Sequence, residues 1–171
     1  MSGARDPVAA AGRGAAVAIA SAADLRRVSL ELVRRCRRYL DLISRDLEPQ
    51  IFGSREFVAA VQQLVIRNPK SRVRMIVLQP EGLSGVPHRL VDLSQRLTSF
   101  MAIRRPGTEY REFNEAMLIG DQRHSLHRKL SDRYEGQAFF DAPGRAARLQ
   151  HVFDELWEYG EPDPNFRQLF L

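Results

Sequence analysis

A helical pattern of hydrophobic and polar positions runs through residues 21–38. At about 100° per residue, the apolar side chains fall in one sector of a helix and the arginines fall on the opposite half. The apolar positions are Leu25, Val28, Leu32, Val33 and Cys36, and the arginines are Arg26, Arg27, Arg34, Arg35, Arg37 and Arg38. With Ser21 or Asp24 as its N-cap, this segment is predicted to form an amphipathic helix with an arginine-covered outer face.

Strands and helices alternate through the middle of the chain. Residues 39–44 have the pattern of a strand, and residues 54–68 that of a helix with one apolar stripe. Residues 73–78 form an almost continuous apolar run, which is typical of an interior parallel strand. Pro87 suits the first position of a third helix, and residues 100–103 complete a β-α-β-α-β unit.

The pattern changes after the Pro-Gly pair at residues 106–107. Residues 116–119 and 123–128, joined by a Gly-Asp turn, indicate a β-hairpin, and residues 137–140 add a further strand. Residues 144–159 are predicted to form a closing helix. Parallel crossovers followed by antiparallel hairpin strands predict an α/β fold, a mixed sheet with helices on its faces.

Length and composition favour one domain. The 171 residues are 44% hydrophobic and 27% charged, as is usual for a globular protein. Residues 1–21 are rich in Ala and Gly and are predicted to be a disordered leader, which leaves residues 22–171 as a single domain. No apolar run reaches the length of about eighteen residues that a membrane span requires. The lone Cys36 suits a reducing compartment, so a cytoplasmic location is expected.

The net charge of +5 is unevenly distributed along the chain. Residues 1–38 hold eight arginines against three acidic residues, whereas residues 39–171 hold eighteen basic and eighteen acidic side chains. Two interpretations of the basic helix stay open. Its outer face is a docking surface for a protein partner, phosphates or nucleic acid, or it is only a solvated surface in an arginine-rich chain. The candidate contact residues are Arg27, Arg34, Arg35 and Arg38.

Missing motifs exclude several chemistries. The chain has no glycine-rich phosphate loop, no G-x-S-x-G elbow, and no H-E-x-x-H or paired-cysteine spacing, so no cofactor or metal is expected. Cys36 lies on the apolar face of its helix and is interpreted as a packing residue. His124 and His127 face opposite sides of a strand and make a poor ligand pair. His88, at a helix N-terminus, is a cap or a pocket residue, and burial favours its neutral form.

Residues 113–141 resemble part of a phospholipase D-like half-unit. Active members of that superfamily carry H-x-K-x-x-x-x-D at the first strand of the late hairpin, followed by a Gly-Ser-x-Asn loop. Their histidine attacks phosphorus, and their lysine holds phosphate oxygens. Here Asp121 matches, but Asn114 replaces the histidine, Ala116 replaces the lysine, and no Gly-Ser-x-Asn follows. The resemblance therefore implies the fold without this catalysis, because a carboxamide cannot form a phosphohistidine.

A second register leaves an enzymatic alternative open. His127-Arg128-Lys129 also has the form H-x-K, although Asp132 comes two residues too early. In this alternative the chain is a phosphodiesterase-type hydrolase that uses His127 and Lys129.

Residues from about 24 to 171 also resemble a proteobacterial domain family of unknown function with a degenerate phospholipase D-like fold. The shared segments are Leu126-His127-Arg128, the run at 132–136 and the Glu-Pro-Asp-Pro at 161–164. Some members follow an acetyltransferase domain of the GNAT type. This chain lacks the [QR]-x-x-G-x-[GA] loop that binds acetyl-CoA in such enzymes, so acetyl transfer is not implied.

The resemblance implies a non-catalytic module whose vestigial cleft binds a protein partner or an anionic, phosphate-containing ligand. The predicted lining residues are Arg105, Asn114, His127, Arg128, Arg133, Tyr134 and Glu135. Arg128 and Arg133 are the expected anion ligands. In the alternative, Arg133 pairs with Asp132 or Glu135 and only locks the hairpin. Half-units of this fold commonly pair across their sheets, so the resemblance also implies a homodimer.

Overall fold

Seven strands form one mixed sheet in the computed structural model, which describes residues 8–166. The strands are β1 (Ala16–Ile19), β2 (Tyr39–Ser44), β3 (Arg72–Val77), β4 (Met101–Arg104), β5 (Ala116–Gly120), β6 (His124–Arg128) and β7 (Gly136–Phe139). The α-helices are α1 (Ala22–Arg35), α2 (Arg55–Arg67), α3 (Arg89–Arg96) and α4 (Pro143–Tyr159). The order of the strands across the sheet is β1-β7-β6-β5-β2-β3-β4.

The sheet changes from parallel to antiparallel between β2 and β5. Strands β2, β3 and β4 are parallel, because α2 and α3 each return the chain to the same end of the sheet. β5 is antiparallel to β2, and β6 and β7 continue the antiparallel half. The predicted α/β class, a parallel β-α-β-α-β half followed by antiparallel strands, is confirmed.

Each face of the sheet has its own apolar core. Helices α1, α2 and α3 cover one face, and the buried cluster there includes Leu25, Phe57 and Leu118. Helix α4 covers the other face, where a smaller cluster includes Ile119 and Phe153. Successive strand residues point to opposite faces, which is why Leu118 and Ile119 belong to different clusters. Within residues 8–166, no helix has the length and apolar character needed to cross a membrane.

Polar side chains fix where the helices begin. Ser21 Oγ accepts a hydrogen bond from the Asp24 N–H at 3.1 Å, and Ser54 Oγ caps α2 in the same way at 3.2 Å. At α3 the cap is His88, whose Nδ1 accepts from the Leu90 N–H at 3.2 Å. Each bond satisfies an N–H group that the first helical turn leaves unpaired. The prediction of His88 as a helix cap is therefore confirmed.

Asp121 holds the turn between α1 and β2. Its carboxylate accepts from the backbone N–H groups of Arg37 at 2.7 Å, Arg38 at 2.9 Å and Tyr39 at 2.9 Å. The predicted helix extends to residue 38, but α1 ends at Arg35 because these N–H groups bind the loop between β5 and β6. Asp121 itself has a left-handed φ of 52°.

The N-terminal segment contradicts the prediction of a disordered leader over residues 1–21. β1 pairs with β7 at the edge of the sheet, and Val8 is only 1% exposed. Arg35 anchors the segment to α1 by donating to the carbonyls of Ala11 at 2.9 Å and Val8 at 3.0 Å. The sequence does not predict β1, because its side chains are small and show little alternation of apolar and polar positions. The hydrogen bonds that stabilise β1 come from the edge of β7, which is distant in the sequence. Residues 1–7 lie outside the described residues.

A buried polar network attaches α4 to the sheet. Asp41 is 2% exposed, and it accepts from Arg74 Nε at 2.8 Å and Nη2 at 2.9 Å. Arg74 also donates to Asp154 at 2.9 Å, and Gln150 Nε2 bridges the two carboxylates at 2.9 and 3.0 Å. The guanidinium lies over the Phe153 ring, 4.8 Å from its centroid. These contacts fix the position of α4 in addition to its apolar stripe.

We expect Asp121→Ala to lower the free energy of unfolding by about 2–4 kcal/mol, because three backbone N–H groups lose their acceptor and alanine disfavours a left-handed φ. Asp121→Asn is the matched control, since asparagine keeps one acceptor oxygen and tolerates that conformation. Urea denaturation measures both. If the free energy of unfolding decreases by the same amount in both variants, to within about 0.5 kcal/mol, the carboxylate does not hold the turn.

Candidate functional site

Asn114 and Ala116, at the positions of the motif's histidine and lysine, lie at the start of β5, at the end of the sheet where β2, β3 and β4 stop. We call this end the upper edge and the opposite end the lower edge. The register places Ile43 opposite Met117 towards the upper edge and Leu40 opposite Gly120 at the lower edge. β6 ends and β7 begins at the upper edge too. The loops that follow β2, β3, β4 and β6 therefore surround the start of the motif.

Asn114 and Ala116 supply no catalytic group. Asn114 Oδ1 accepts from Ser131 Oγ, and the Asn114 carbonyl accepts from the Ser131 N–H at 2.9 Å. The amide thus ties the loop after β6 to the start of β5. Ala116 is 2% exposed and lies opposite Arg128 in the register of β5 and β6. Where active members have a lysine, this chain therefore has Ala116, which lies beside another cation, Arg128.

Arg128 is buried, with 1% exposure. Its Nη1 donates to Glu48 Oε1 at 2.7 Å and its Nη2 to Glu48 Oε2 at 3.1 Å, which is a bidentate ion pair. Its Nε donates to the Arg133 carbonyl at 2.7 Å, and Nη2 also donates to the Ser131 carbonyl at 3.1 Å. The expectation that Arg128 binds a ligand is corrected by this geometry, because its charge is neutralised inside the protein.

The loop that carries Glu48 is itself tightly held. Leu47 has a left-handed φ of 56°, an unfavourable conformation for a leucine. Ser44 Oγ accepts from the Leu47 N–H at 2.9 Å, and His88 Nε2 lies 2.9 Å from the Leu47 carbonyl. Since Nδ1 of His88 accepts from the Leu90 N–H, the neutral ring carries its proton on Nε2 and donates it to Leu47. Both contacts hold the loop in the conformation that directs Glu48 to Arg128.

The other residues of the predicted cleft lie in three separate depressions. Tyr134 lines the first, which has a volume of about 410 Å³. His127, Arg133 and Glu135 line the second, of about 430 Å³. Arg105 lines the third, of about 320 Å³. The expectation that these residues line a single cleft is therefore wrong, because the loops after β4 and β6 place them in different depressions.

The depression beside Tyr134 has an acidic lining. Its charged residues include Arg45, Asp46 and Asp132, together with the paired Glu48. Arg45 lies 3.9 Å from Asp46, which leaves Asp132 as the uncompensated charge. A phosphate group would meet net negative charge here, so this depression disfavours the predicted anionic ligand.

Arg105 is committed to the segment that follows α4. Its Nη2 lies 3.2 Å from Glu161 Oε2, and its Nη1 lies 3.8 Å from Asp163 Oδ2. Backbone hydrogen bonds of 2.8 and 2.9 Å also join Arg105 to Glu161. These contacts neutralise Arg105 locally.

The second H-x-K register is assembled only in part. His127 and Lys129 line the same depression, but Asp132 lines the one beside Tyr134. The carboxylate nearest His127 is that of Glu115, whose Oε2 lies 3.2 Å from His127 Nε2. The alternative hydrolase thus lacks its aspartate at the site.

Arg133 forms no ion pair with Asp132 or Glu135 within residues 8–166. The alternative in which such a pair locks the hairpin is therefore not seen. The loop after β6 is locked instead by the bond from Arg128 to the Arg133 carbonyl, which leaves the Arg133 guanidinium exposed.

A cluster of cations occupies the lower edge. Arg34, Arg37 and Arg67 surround a depression of about 480 Å³ between the ends of α1 and α2. Arg38 and Arg72 lie over the ring of Tyr39, with their Cζ atoms 4.8 and 5.0 Å from its centroid. Arg38 Nε also lies 3.5 Å from the Lys70 carbonyl. We call this cluster the basic edge, and its members are Arg34, Arg37, Arg38, Arg67, Lys70 and Arg72.

No carboxylate of residues 8–166 forms a salt bridge with any member of the basic edge. The nearby Asp121 directs both oxygens at backbone N–H groups. Counting charge along the sequence missed Arg67, Lys70 and Arg72, because the stretch after residue 38 is neutral as a whole. The β-α-β pattern could have identified them, since each helix end leads to the start of the next strand at the same edge.

Two of the four arginines predicted as contact residues are engaged within the protein. Arg35 pairs with Glu31 at 2.9 Å and lies over the Phe140 ring, 4.2 Å from its centroid. Arg27 pairs with Asp24 at 3.0 Å. Arg34 and Arg38 are exposed and belong to the basic edge. Arg35 is therefore removed from the predicted partner-binding residues, because its guanidinium binds the N-terminal segment.

Burial governs the titratable groups near the core. Desolvation lowers the pKa of His88 and of His124, and it raises the pKa of the Cys36 thiol. Cys36 is 8% exposed, which confirms its interpretation as a packing residue.

His124 and His127 face opposite sides of β6, as expected. Within residues 8–166, no group of His, Cys, Asp and Glu is arranged to hold a metal ion.

Solved structures similar to this chain include a phospholipase D family member. Nuc of Salmonella typhimurium, a phospholipase D family member, has a TM-score of 0.63 and 11% identity, over 90% of this chain and 100% of that chain. NucT from Helicobacter pylori has a TM-score of 0.60 and 10% identity, over 88% of this chain and 99% of that chain. At such identities the likeness establishes the fold alone.

A DNA-binding protein shares the fold as well. TrmBL2, an archaeal chromatin protein with a novel mode of DNA binding, has a TM-score of 0.60 and 18% identity. The match covers 89% of this chain but only 55% of TrmBL2, so this chain spans about half the length of that protein.

Fold and comparisons together define a phospholipase D-like α/β domain. The chain belongs to the family described as domain of unknown function DUF7931, whose model matches residues 21–169. No curated protein matches the chain. The predicted resemblance to a family of unknown function with this fold is confirmed, while the proteobacterial origin and the acetyltransferase fusions stay predictions.

We expect the stability of the protein to fall as the pH drops below the ordinary His pKa of 6.5, with a contribution from His88. Because burial lowers its folded pKa, the unfolded chain binds the proton first, and stability is lost as the pH falls. His88→Asn keeps a capping group but removes the titration. Urea unfolding at about pH 7 and about pH 5 should therefore show a smaller loss for the variant. Equal losses in both proteins would contradict this assignment.

Proposed function

We propose that this chain is a non-catalytic phospholipase D-like module that binds the phosphate backbone of nucleic acid through its basic edge. The observation that carries the proposal is the basic edge itself. Its members come from the ends of α1 and α2 and from the start of β3, and none of them forms a salt bridge with a carboxylate of the described residues.

A cluster of like charges without salt-bridge partners favours a polyanionic ligand. Like charges held close together repel one another, and a bound polyanion relieves that repulsion while it releases its own counterions. The arginines at the upper edge differ in this respect, because Arg128 and Arg105 are already paired with carboxylates. The lower edge thus provides the stronger attraction for phosphate.

The layout of the basic edge favours a repeating phosphate chain over a single small anion. Arg34, Arg37 and Arg67 line one depression, whereas Arg38 and Arg72 flank the ring of Tyr39 beside it. One phosphate would engage part of this set, but a backbone with regularly spaced phosphates would engage all of it. The DNA-binding neighbour TrmBL2 adds support at the level of the fold only.

We also propose that the chain does not catalyse phosphodiester hydrolysis by the phospholipase D mechanism. Asn114 stands where an active member has its nucleophile, and it is hydrogen-bonded to Ser131. Ala116 stands where the lysine would be. An amide does not replace histidine as a nucleophile towards phosphorus, and a methyl group cannot replace the charge with which lysine holds phosphate oxygens.

Three predictions of the sequence analysis stay proposals. Pairing of two copies into a homodimer, a cytoplasmic location and a single domain are expected on the grounds given there, although β1 moves the start of that domain from residue 22 to before residue 16. Gel filtration with light scattering would measure the first.

Nucleic-acid affinity should fall when the basic edge is reversed. We expect Arg34→Glu with Arg67→Glu to abolish binding of a fluorescent duplex or single strand at low salt, because both residues border one depression. For the wild-type protein, the logarithm of the affinity should decrease linearly with the logarithm of the salt concentration. In the variant, this slope should become shallower by about one for each phosphate contact that is lost.

The matched control is Arg55→Glu with Arg148→Glu. Both residues are exposed and lie outside the basic edge, so the change of net charge is identical. If the control loses as much affinity as the double reversal at the basic edge, the binding reflects net charge alone and the proposed surface is wrong.

The purified protein should not hydrolyse a generic phosphodiester such as bis-p-nitrophenyl phosphate. The decisive comparison is with His127→Ala, because His127 and Lys129 share one depression. Turnover by the wild-type protein that disappears in this variant would establish the hydrolase and refute a non-catalytic module. Turnover that is equal in both proteins would exclude His127 as the catalytic group.

A further inference from the structure

The upper edge contains an ion pair whose geometry is that of a bound ligand. We propose that Arg128 forms an oxyanion site at this edge and that the carboxylate of Glu48 occupies the site from within the chain. The ligand class of the site is a phosphate-like oxyanion, and Glu48 keeps it out. This inference is independent of the basic edge at the other end of the sheet.

The guanidinium is positioned without help from Glu48. Arg128 Nε donates to the Arg133 carbonyl at 2.7 Å, and Nη2 donates to the Ser131 carbonyl at 3.1 Å. The opposite side of the guanidinium directs two N–H groups at the two oxygens of Glu48. A carboxylate and a phosphate accept this bidentate pattern equally well. Removing Glu48 should therefore leave an oriented cation with two unpaired donors.

The place that Glu48 fills offers an external anion a route to the guanidinium. The side chain of Arg128 is 2% exposed, whereas that of Glu48 is 18% exposed and lines the depression of about 410 Å³ beside Tyr134. Ala116, opposite Arg128, places no competing group at the site. Truncation of Glu48 would join the depression to the guanidinium.

The chain keeps Glu48 in the site at a high effective concentration. Leu47 is held at a φ of 56° by bonds to Ser44 and His88, and this conformation directs the next residue towards Arg128. An intramolecular ligand that is already oriented loses little entropy on binding, so dissolved phosphate competes poorly with it. The wild-type protein should therefore not bind phosphate at this edge.

One acidic residue opposes phosphate in the opened site. Asp132 lines the depression beside Glu48, and among the described residues its charge has no partner such as the Arg45 that lies 3.9 Å from Asp46. Asp132→Asn in the Glu48→Ala background should thus increase phosphate affinity. The same change in the wild-type background should have no effect on phosphate binding, because Glu48 still fills the site.

The test is rescue of the Glu48→Ala variant by inorganic phosphate. Loss of the carboxylate leaves a buried, uncompensated cation, so the melting temperature should fall in a phosphate-free buffer. Added phosphate should raise it again along a saturable curve, because a ligand that binds only the folded state stabilises that state. Calorimetric titration should show binding about tenfold or more tighter than to the wild-type protein.

Two further variants keep the proposal falsifiable. In Glu48→Ala with Arg128→Met, the buried charge is gone and the saturable response should disappear. Glu48→Gln preserves the side-chain volume and one acceptor, and it serves if the alanine variant does not fold. Its melting temperature should show a weaker phosphate response than that of Glu48→Ala, because the amide still fills the site.

The opposite results would overturn the proposal. A wild-type protein that shows the same saturable phosphate response as Glu48→Ala would mean that Glu48 does not close a site. A response that persists after Arg128→Met would come from another surface, the basic edge included. A Glu48→Ala variant that folds but gains no stability from phosphate would show that Arg128 cannot accept an external oxyanion.

Discussion

A guanidinium buried to 1% exposure dictates the arrangement of the upper edge. Such a charge is tolerated in the interior only when hydrogen bonds and an opposite charge surround it, and breaking the pair typically costs about 3–5 kcal/mol. Arg128 meets this requirement by binding Glu48 from the loop after β2 and two carbonyls from the loop after β6. Both loops are therefore fixed relative to β6, and the separate depressions around His127 and Tyr134 follow from that constraint.

The two ends of the sheet differ in whether their arginines form salt bridges. At the upper edge Arg128 and Arg105 are paired with carboxylates. At the lower edge the cations of α1, α2 and β3 meet without a carboxylate partner among the described residues. A neutral chain body and a strongly basic surface are compatible because the parallel topology sorts helix ends to one side of the sheet. The concentration of positive charge at one edge thus arises from topology as much as from composition.

The single motif residue that matches active phospholipase D proteins has a structural task here. Asp121 lies at the lower edge, at the far end of β5 from Asn114, and it holds the backbone of the turn between α1 and β2. Its presence preserves the packing of α1 on the sheet, and it contributes nothing to the upper edge. The hydrogen bonds of Asp121 stabilise the framework of the fold and do not depend on a catalytic group.

The sequence alone determined the order and type of most elements, since the periodicity of apolar residues identifies a strand or helix from local information. Residues 39–44 and the hairpin after residue 106 are examples, and the replacement of histidine by Asn114 is visible without coordinates. The tertiary structure decided the pairing of Arg128 with Glu48, the ordered β1 and the assembly of the basic edge. Each of these joins residues far apart in the chain, and no local pattern records which distant group will satisfy a buried charge, a free strand edge or a cluster of cations.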